Sequence, residues 1–377
     1  MIPSATERPL SLDHLRRLTD CFGILQHANY ALPDYRTGYT TDDNARALVV
    51  AVKHHRLHGD ELSRELASRY LAFLLYAQMS DGRFHNFVGY ERKRLDEAGS
   101  EDCFGRAIWA LGWVLLAPPQ SGLVGPAEHM FHRALPWLTS LEHPRGKAIS
   151  ITALHRWAQA RPEELPRARE LTEHLAGGLI DRYREHSRPD WEWLLPEMTY
   201  ANAKLPEGLF RAYQITGCEE YLAVARRTME FLCAKTFRGD VLCLVGNDGW
   251  YRSEAEEPPL YDQQPIDAAV MVEASLAAFD ATGEAQHLTH AWAALEWFFG
   301  RNRHGMALYD GETGGCFDAL TERGVNQNRG AESTISLLLA QLSVFDARQS
   351  ISRRMLSEGS ASGSAEAARL VDAPAER

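Results

Sequence analysis

The sequence predicts an all-α fold, an (α/α)6 barrel: six helical hairpins closed into a toroid, with one or two short β-hairpins in the loops. Three observations predict it. Apolar residues recur at helical spacing along almost the whole chain, in twelve segments. The segments alternate between a charged, amphipathic helix and a small, apolar one rich in Ala, Leu, Val and Gly. An amphipathic helix keeps one face in water and a helix apolar all round is buried, so the alternation separates an outer ring from an inner one. Finally, the pairs repeat every 45 to 65 residues or so, and six such units suit a closed ring. An open solenoid would need polar capping units, and the terminal pairs are not unusually polar.

The first pair is "LDHLRRLTDCFGILQHA" with "NARALVVAVKHHRL". The second is "DELSRELASRYLAFLLYAQM" with "CFGRAIWALGWVLLA", and the third "GPAEHMFHRALPWLTSLEH" with "GKAISITALHRWAQA". "RARELTEHLAGGLIDRYREH" with "TYANAKLPEGLFRAYQITG" makes the fourth, and "EEYLAVARRTMEFLCAKTF" with "PIDAAVMVEASLAAFDATG" the fifth. "AQHLTHAWAALEWFFGRNR" with "GAESTISLLLAQLSVFDA" closes the set. Inner helices are expected to start near residues 42, 102, 146, 199, 265 and 330. Residues 239–251 and "GMALYDGETGGCFDAL" read as the short hairpins. The toroid is expected to span 1–349, with 350–377 a disordered tail of small and polar residues.

Composition bounds the function. The 377 residues carry a net charge of -11, so no global attraction to nucleic acid or anionic membranes is expected. No run of about 18 apolar residues is present, and the N-terminus lacks signal-peptide character, so a cytoplasmic protein is expected. The six cysteines form no CxxC pair and read as reduced thiols. No metal-ligand spacing appears and no GxGxxG follows a strand, so no metal and no cofactor is expected.

Outer-to-inner connections are long and polar, whereas inner-to-outer ones, such as "HGD" and "TGEA", are tight. In an alternating ring, all long connections share one end, and function concentrates on loops held by a rigid scaffold. That end collects paired carboxylates, aromatics and amides, the makings of a sugar cleft: rings stack on pyranose faces, amides bind hydroxyls, and two carboxyl groups serve as acid and base. The catalytic candidates are Asp43, Asp102, Glu197 and Glu332. The substrate-binding candidates are Tyr39, Arg46, His85, Asn86, Arg106, Trp191, Trp193, Trp250, Gln263, Gln264, Asp267 and Asn328.

Helix starts compete for the same acids. Asp42 and Asp102 each precede an arginine by four residues, a spacing that favours capping and an i,i+4 ion pair. Asp42 is therefore expected mainly to build the helix start and Asp43 mainly to serve the cavity. The arginines at this end either neutralise the carboxylates or recognise an acidic sugar.

"GYTTDDNARAL", "DGRFHNF" and "GSEDCFGRAIWALG" resemble motifs of bacterial (α/α)6-toroid proteins of the six-hairpin glycosidase-like superfamily. The resemblance spans most of residues 10–346. Members of that group are often labelled glycosyltransferase-like and accompany polysaccharide glycosyltransferases, so the resemblance implies a carbohydrate ligand and a glycosyltransferase partner. Its superfamily holds hydrolases, lyases, epimerases and cyclases, so fold alone does not fix the reaction. The leading expectation is an inverting glycoside hydrolase acting on a bacterial polysaccharide or oligosaccharide. The alternatives are a sugar epimerase, a terpene-cyclase-like toroid with the Asp pair as acid, and a non-catalytic glycan-binding partner of a glycosyltransferase.

Overall fold

Twelve α-helices alternate between two rings in the computed structural model, which describes residues 10–358. They are α1 (Asp13–Leu18), α2 (Thr41–His58), α3 (Glu61–Ala77), α4 (Glu101–Leu116), α5 (Val124–Ala134) and α6 (Pro144–Ala160). There follow α7 (Leu165–His186), α8 (Lys204–Thr216), α9 (Glu219–Thr236), α10 (Pro265–Thr282), α11 (Gln286–Trp297) and α12 (Ala331–Glu358). Even-numbered helices form the inner ring. Each packs on the next, and α12 packs back on α2, so the ring closes. Odd-numbered helices lie outside.

Burial follows the alternation. In α10 every residue from Pro265 to Ser275 is buried, whereas α7 buries only a stripe, including Leu171, Leu175, Leu179 and Tyr183. Small residues let the inner helices touch: a Cβ on Gly208 of α8 would lie 2.7 Å from Ala148 Cα of α6. The tight end is set by local chemistry. Helices α2, α8 and α10 end on Gly59, Gly217 and Gly283, with φ of 66°, 73° and 73°. That left-handed geometry favours glycine and turns the chain straight into the next outer helix.

Five of the six inner helices start within two residues of the expected positions. The fourth starts at Lys204 rather than near 199. Glu197–Met198 instead pairs with Tyr251–Arg252, and the Asn202 amide bonds both backbone groups of Thr199, which holds the chain out of helix. Outer helix α1 stops at Leu18 rather than running through residue 28. The Asp20 carboxylate takes the N–H groups of Phe22 and Gly23, favouring a turn over continued helix. The expected 239–251 hairpin is displaced: Phe237–Arg238 pairs with Val241–Leu242, while Tyr251 pairs with residue 198. Near the second expected hairpin, Tyr309 bridges Cys316 and Leu320–Thr321 pairs with Gly324–Val325. Helix α12 continues to Glu358, into the segment expected as tail. The rest of that tail, 359–377, lies outside the described residues, as do 1–9.

Candidate active site

The first turns of the inner helices meet at the long-loop end. Helix α2 is capped by Thr40, whose Oγ1 accepts from the Asp43 N–H at 3.0 Å and donates to the Asp43 carboxylate at 2.7 Å. The cap is therefore Thr40, not Asp42, and Asp43 sits three residues on as the acid of a capping-box-like pair. Ser100 caps α4 in the same way through the Cys103 N–H. Asp43 thus has a structural task as well as a place at the cavity.

A chain of ion pairs crosses this end. Arg46 reaches Asp42 at 3.0 Å, Asp43 at 2.8 Å and, from α12, Glu332 at 3.0 Å. Arg106 of α4 pairs with Asp42. Asp102 accepts from Arg145 at 2.9 Å and from the Tyr200 hydroxyl at 2.6 Å, with His143 3.7 Å away. Arg145 also lies over the Tyr200 ring and donates to Thr199. Arg46, Arg106 and Arg145 are each engaged by carboxylates here, which is the neutralising arrangement.

Burial and charge set these groups apart. Burial pushes Asp43 up to about 6, against the pull of Arg46 and with a further push from Asp42 and Glu332. Asp102 is also buried, but Arg145, Arg106 and the Tyr200 hydroxyl outweigh that and hold it below the usual carboxylate range. Asp267, in the first turn of α10, is pushed up to about 7 by burial. One oxygen accepts from the Ala201 N–H at 2.7 Å and the other has no partner.

A cavity of about 360 Å³ opens among these residues. Its wall includes Asp43, Arg46, Asn86, Gln264 and Glu332 from the sequence-derived set, and also Asp42, which was expected mainly to build the helix start. Asn86 is anchored by accepting the Asp42 N–H, and Glu332 is half-exposed. Arg106 and Asp102 stand behind Asp42 on α4.

Other candidates stand elsewhere. Trp191 and Trp193 are 1% and 0% exposed, so neither offers a ring face for stacking; Trp191 ties its own loop by donating to the Leu195 carbonyl. Tyr39 is buried with its hydroxyl on Asp20, and Gln263 is buried among Leu244, Leu260 and Trp297. Trp191, Tyr39 and Gln263 hold loops in place, because each polar tip finds its partner inside the protein, whereas Trp193 is buried with its indole N–H unpartnered. Trp250 is 46% exposed, with φ of 38°. Glu197 belongs to the short sheet, 3.7 Å from Arg252. Half-buried His85 engages the Asp96 carbonyl, and Asn328 accepts the Tyr30 N–H.

Sequence reasoning missed Tyr200, Asp318, Gln26 and His27 as site residues. The last three line the cavity, and Asp318 holds the start of α12 through Gly330 and Ser333. Tyr200 lies in the "TYANAK" segment, where the assumed early helix start hid its role. Among the described residues no group of three His, Cys, Asp or Glu side chains could hold a metal ion, and no helix is long and apolar enough to cross a membrane.

No family model matches the chain, and no curated protein matches it in sequence. Solved structures share its fold. A sugar epimerase from a ruminal bacterium is 13% identical with a TM-score of 0.68, over 89% of this chain and 97% of that one. The unsaturated glucuronyl hydrolase specific for heparin is 11% identical with a TM-score of 0.61, over 90% and 95%. The family 76 glycoside hydrolase, an α-mannanase of Bacteroides thetaiotaomicron, is 11% identical with a TM-score of 0.58, over 83% and 88%.

Proposed function

We propose that this (α/α)6 toroid is a carbohydrate-active enzyme that hydrolyses a glycosidic bond, with Asp43 as general acid and Asp102 as general base. One observation carries the assignment: two carboxyl groups in the first turns of neighbouring inner helices have environments that push their proton affinities apart. That is how a site keeps one carboxyl protonated and another ionised near neutrality. The likeness in fold to sugar epimerases and glycoside hydrolases supports a carbohydrate substrate.

Asp43 would give its proton to the glycosidic oxygen as the bond from that oxygen to the anomeric carbon breaks. Asp102 would take a proton from water as the water oxygen bonds that carbon from the opposite face, with inversion. Glu332 is not the partner of Asp43 in this reading. Both carboxylates bind the same Arg46 nitrogen, at 2.8 and 3.0 Å, which leaves no room for a sugar ring and a water between them. Asn86 and Gln264 would bind hydroxyls on the cavity wall.

The test is release of reducing ends from a panel of bacterial polysaccharides and oligosaccharides. Asp43→Asn and Asp102→Asn should each lower turnover by at least ~10²-fold with the fold intact. Full activity in either variant would remove that residue from the mechanism.

A second reading is favoured by two histidines: His143 stands 3.7 Å from Asp102, and His27 lines the cavity. They would suit proton transfer at a sugar carbon in an epimerase or isomerase. Deuterium uptake from solvent without chain cleavage would select that reading. Saturable glycan binding with neither reaction would select a non-catalytic role, such as a partner of a glycosyltransferase.

A further inference from the structure

The tight-turn end of the barrel, remote from Asp43 and Asp102, holds a cavity of about 650 Å³ lined by all six inner helices. That volume lies in the range of small-ligand pockets, about 300–1,000 Å³. Its wall contains four carboxylates, and each has a close cationic partner. Glu207 and Glu273 share Lys204, at 2.8 and 2.7 Å. Asp280 takes Arg211 at 3.0 Å, and Asp346 takes Arg56 at 3.0 Å.

Two cations remain. Among the described residues neither Lys53 nor Arg156 has a carboxylate within ion-pair distance. Lys53, 6% exposed, donates only to the Ser343 hydroxyl, at 2.6 Å. Arg156 donates to the Gln159 amide oxygen at 2.9 Å, and its Nε has no acceptor. Both stand over the Trp113 ring, at 4.9 and 4.5 Å from its centre, so the two like charges are at most about 9 Å apart. Burial lowers Lys53 to about 8, against the pull of Glu273 and Asp346 and with a further push from Arg156. Burial, with a push from Arg211, lowers Arg156 to about 10 against the pull of Asp280, Glu207 and Asp346. With Arg56, Lys204 and Arg211, the two bring five cations against four carboxylates, an excess of one positive charge.

Helix C-termini point toward this end and attract cations, but that effect fades beyond the last turn. Lys53 lies five residues before the end of α2 and Arg156 four before the end of α6, so their charge is poorly explained that way.

We propose that this cavity is a second, anion-binding site, taking a small organic anion whose phosphate or carboxylate group sits between Lys53 and Arg156. The proposal does not depend on the reaction at the other end. Its test uses the full chain at constant ionic strength and follows the thermal midpoint and calorimetric binding with glucose 6-phosphate, citrate and neutral glucose. A saturable rise with one or both anions, absent with glucose, is expected; which anion acts tells phosphate from carboxylate. Arg156→Gln should weaken anion binding roughly tenfold or more, as loss of a charge-assisted hydrogen bond does, while Arg156→Lys should largely keep it. Because Lys53 and Arg156 repel, Arg156→Gln should not lower the midpoint of the ligand-free protein. Should that variant fail to fold, Lys53→Met takes its place. Arg145→Gln, at the opposite end, should keep anion binding. The proposal is overturned if glucose and the anions act alike, if anion binding survives unchanged in folded Arg156→Gln or Lys53→Met, or if Arg145→Gln abolishes it.

Discussion

Replacing Asp267 by asparagine should make the protein gain stability relative to the wild type as pH rises. Asp267 is buried, with one carboxylate oxygen on the Ala201 N–H and the other without a partner. Burial lifts it from 3.8 to about 7. A carboxyl that holds its proton more tightly when folded is stabilising in its protonated form. Its contribution is fully present below pH 3.8 and is lost as pH rises to about 7. At about 1.4 kcal/mol per unit, the whole loss is roughly 4 kcal/mol, of which 2–3 kcal/mol falls between pH 5 and 8. Asparagine keeps the acceptor for Ala201 and has no proton to lose. Its amide nitrogen, standing where the unpartnered oxygen was, shifts the stability curve by the same amount at every pH and does not tilt it. Thermal unfolding of both proteins from pH 5 to 8.5 should show the variant gaining on the wild type by roughly 4 °C across that range. A difference independent of pH would refute the reasoning, because it would mean that Asp267 ionises in the folded protein without cost. If the variant also loses activity, Asp267 is a group whose burial costs stability and serves the reaction.

Arg46→Met should cost about 3–5 kcal/mol at neutral pH, because it strips Asp43 of its cation; denaturant titration should show the deficit shrinking in acid, as Asp43 takes up a proton. Trp193→Ala should cost about 3–5 kcal/mol, whereas exposed Trp250→Ala should leave the midpoint within a degree or so and show any effect in substrate affinity. Hydrolysis should fall as pH rises through about 6, where Asp43 loses its proton. A rate still climbing beyond pH 8 would take the acid role from Asp43.

Most of the ring was legible because its signals are local. Apolar periodicity placed the helices, and the "HGD", "TGCEE" and "TGEA" turns placed the tight end through glycines that need positive φ. The failures came where a side chain overrode the pattern. Asp20 ended α1 early, and Asn202 delayed α8. At the site, residue type and loop position found Asp43, Arg46, Asn86, Gln264 and Glu332 together. They did not distinguish a tryptophan facing solvent from one folded under its own loop, since Trp191, Trp193 and Trp250 all lie in polar, aromatic segments. Nor did they show that Thr40 rather than Asp42 caps α2, because both residue types cap helices and only geometry decides. Tyr200 and Asp318 act through partners nearly a hundred residues or more away or across a loop, and no local pattern marks them.

The ring closes by laying α12 against α2. Lys53 meets Ser343 across 290 positions of sequence, and Arg46 meets Glu332 across 286. During synthesis at about 5–20 residues per second, α2 would therefore wait roughly 15–60 s for its second inner neighbour. Through that interval an apolar wall and a cluster of half-paired charges stand open in a growing chain. The nascent protein is thus an incomplete arc with two exposed ends, each complementary to the other and to the ends of its neighbours on the same message. The same seam that makes the finished barrel a closed object makes its precursor a candidate for strand-free domain swapping until α12 is in place.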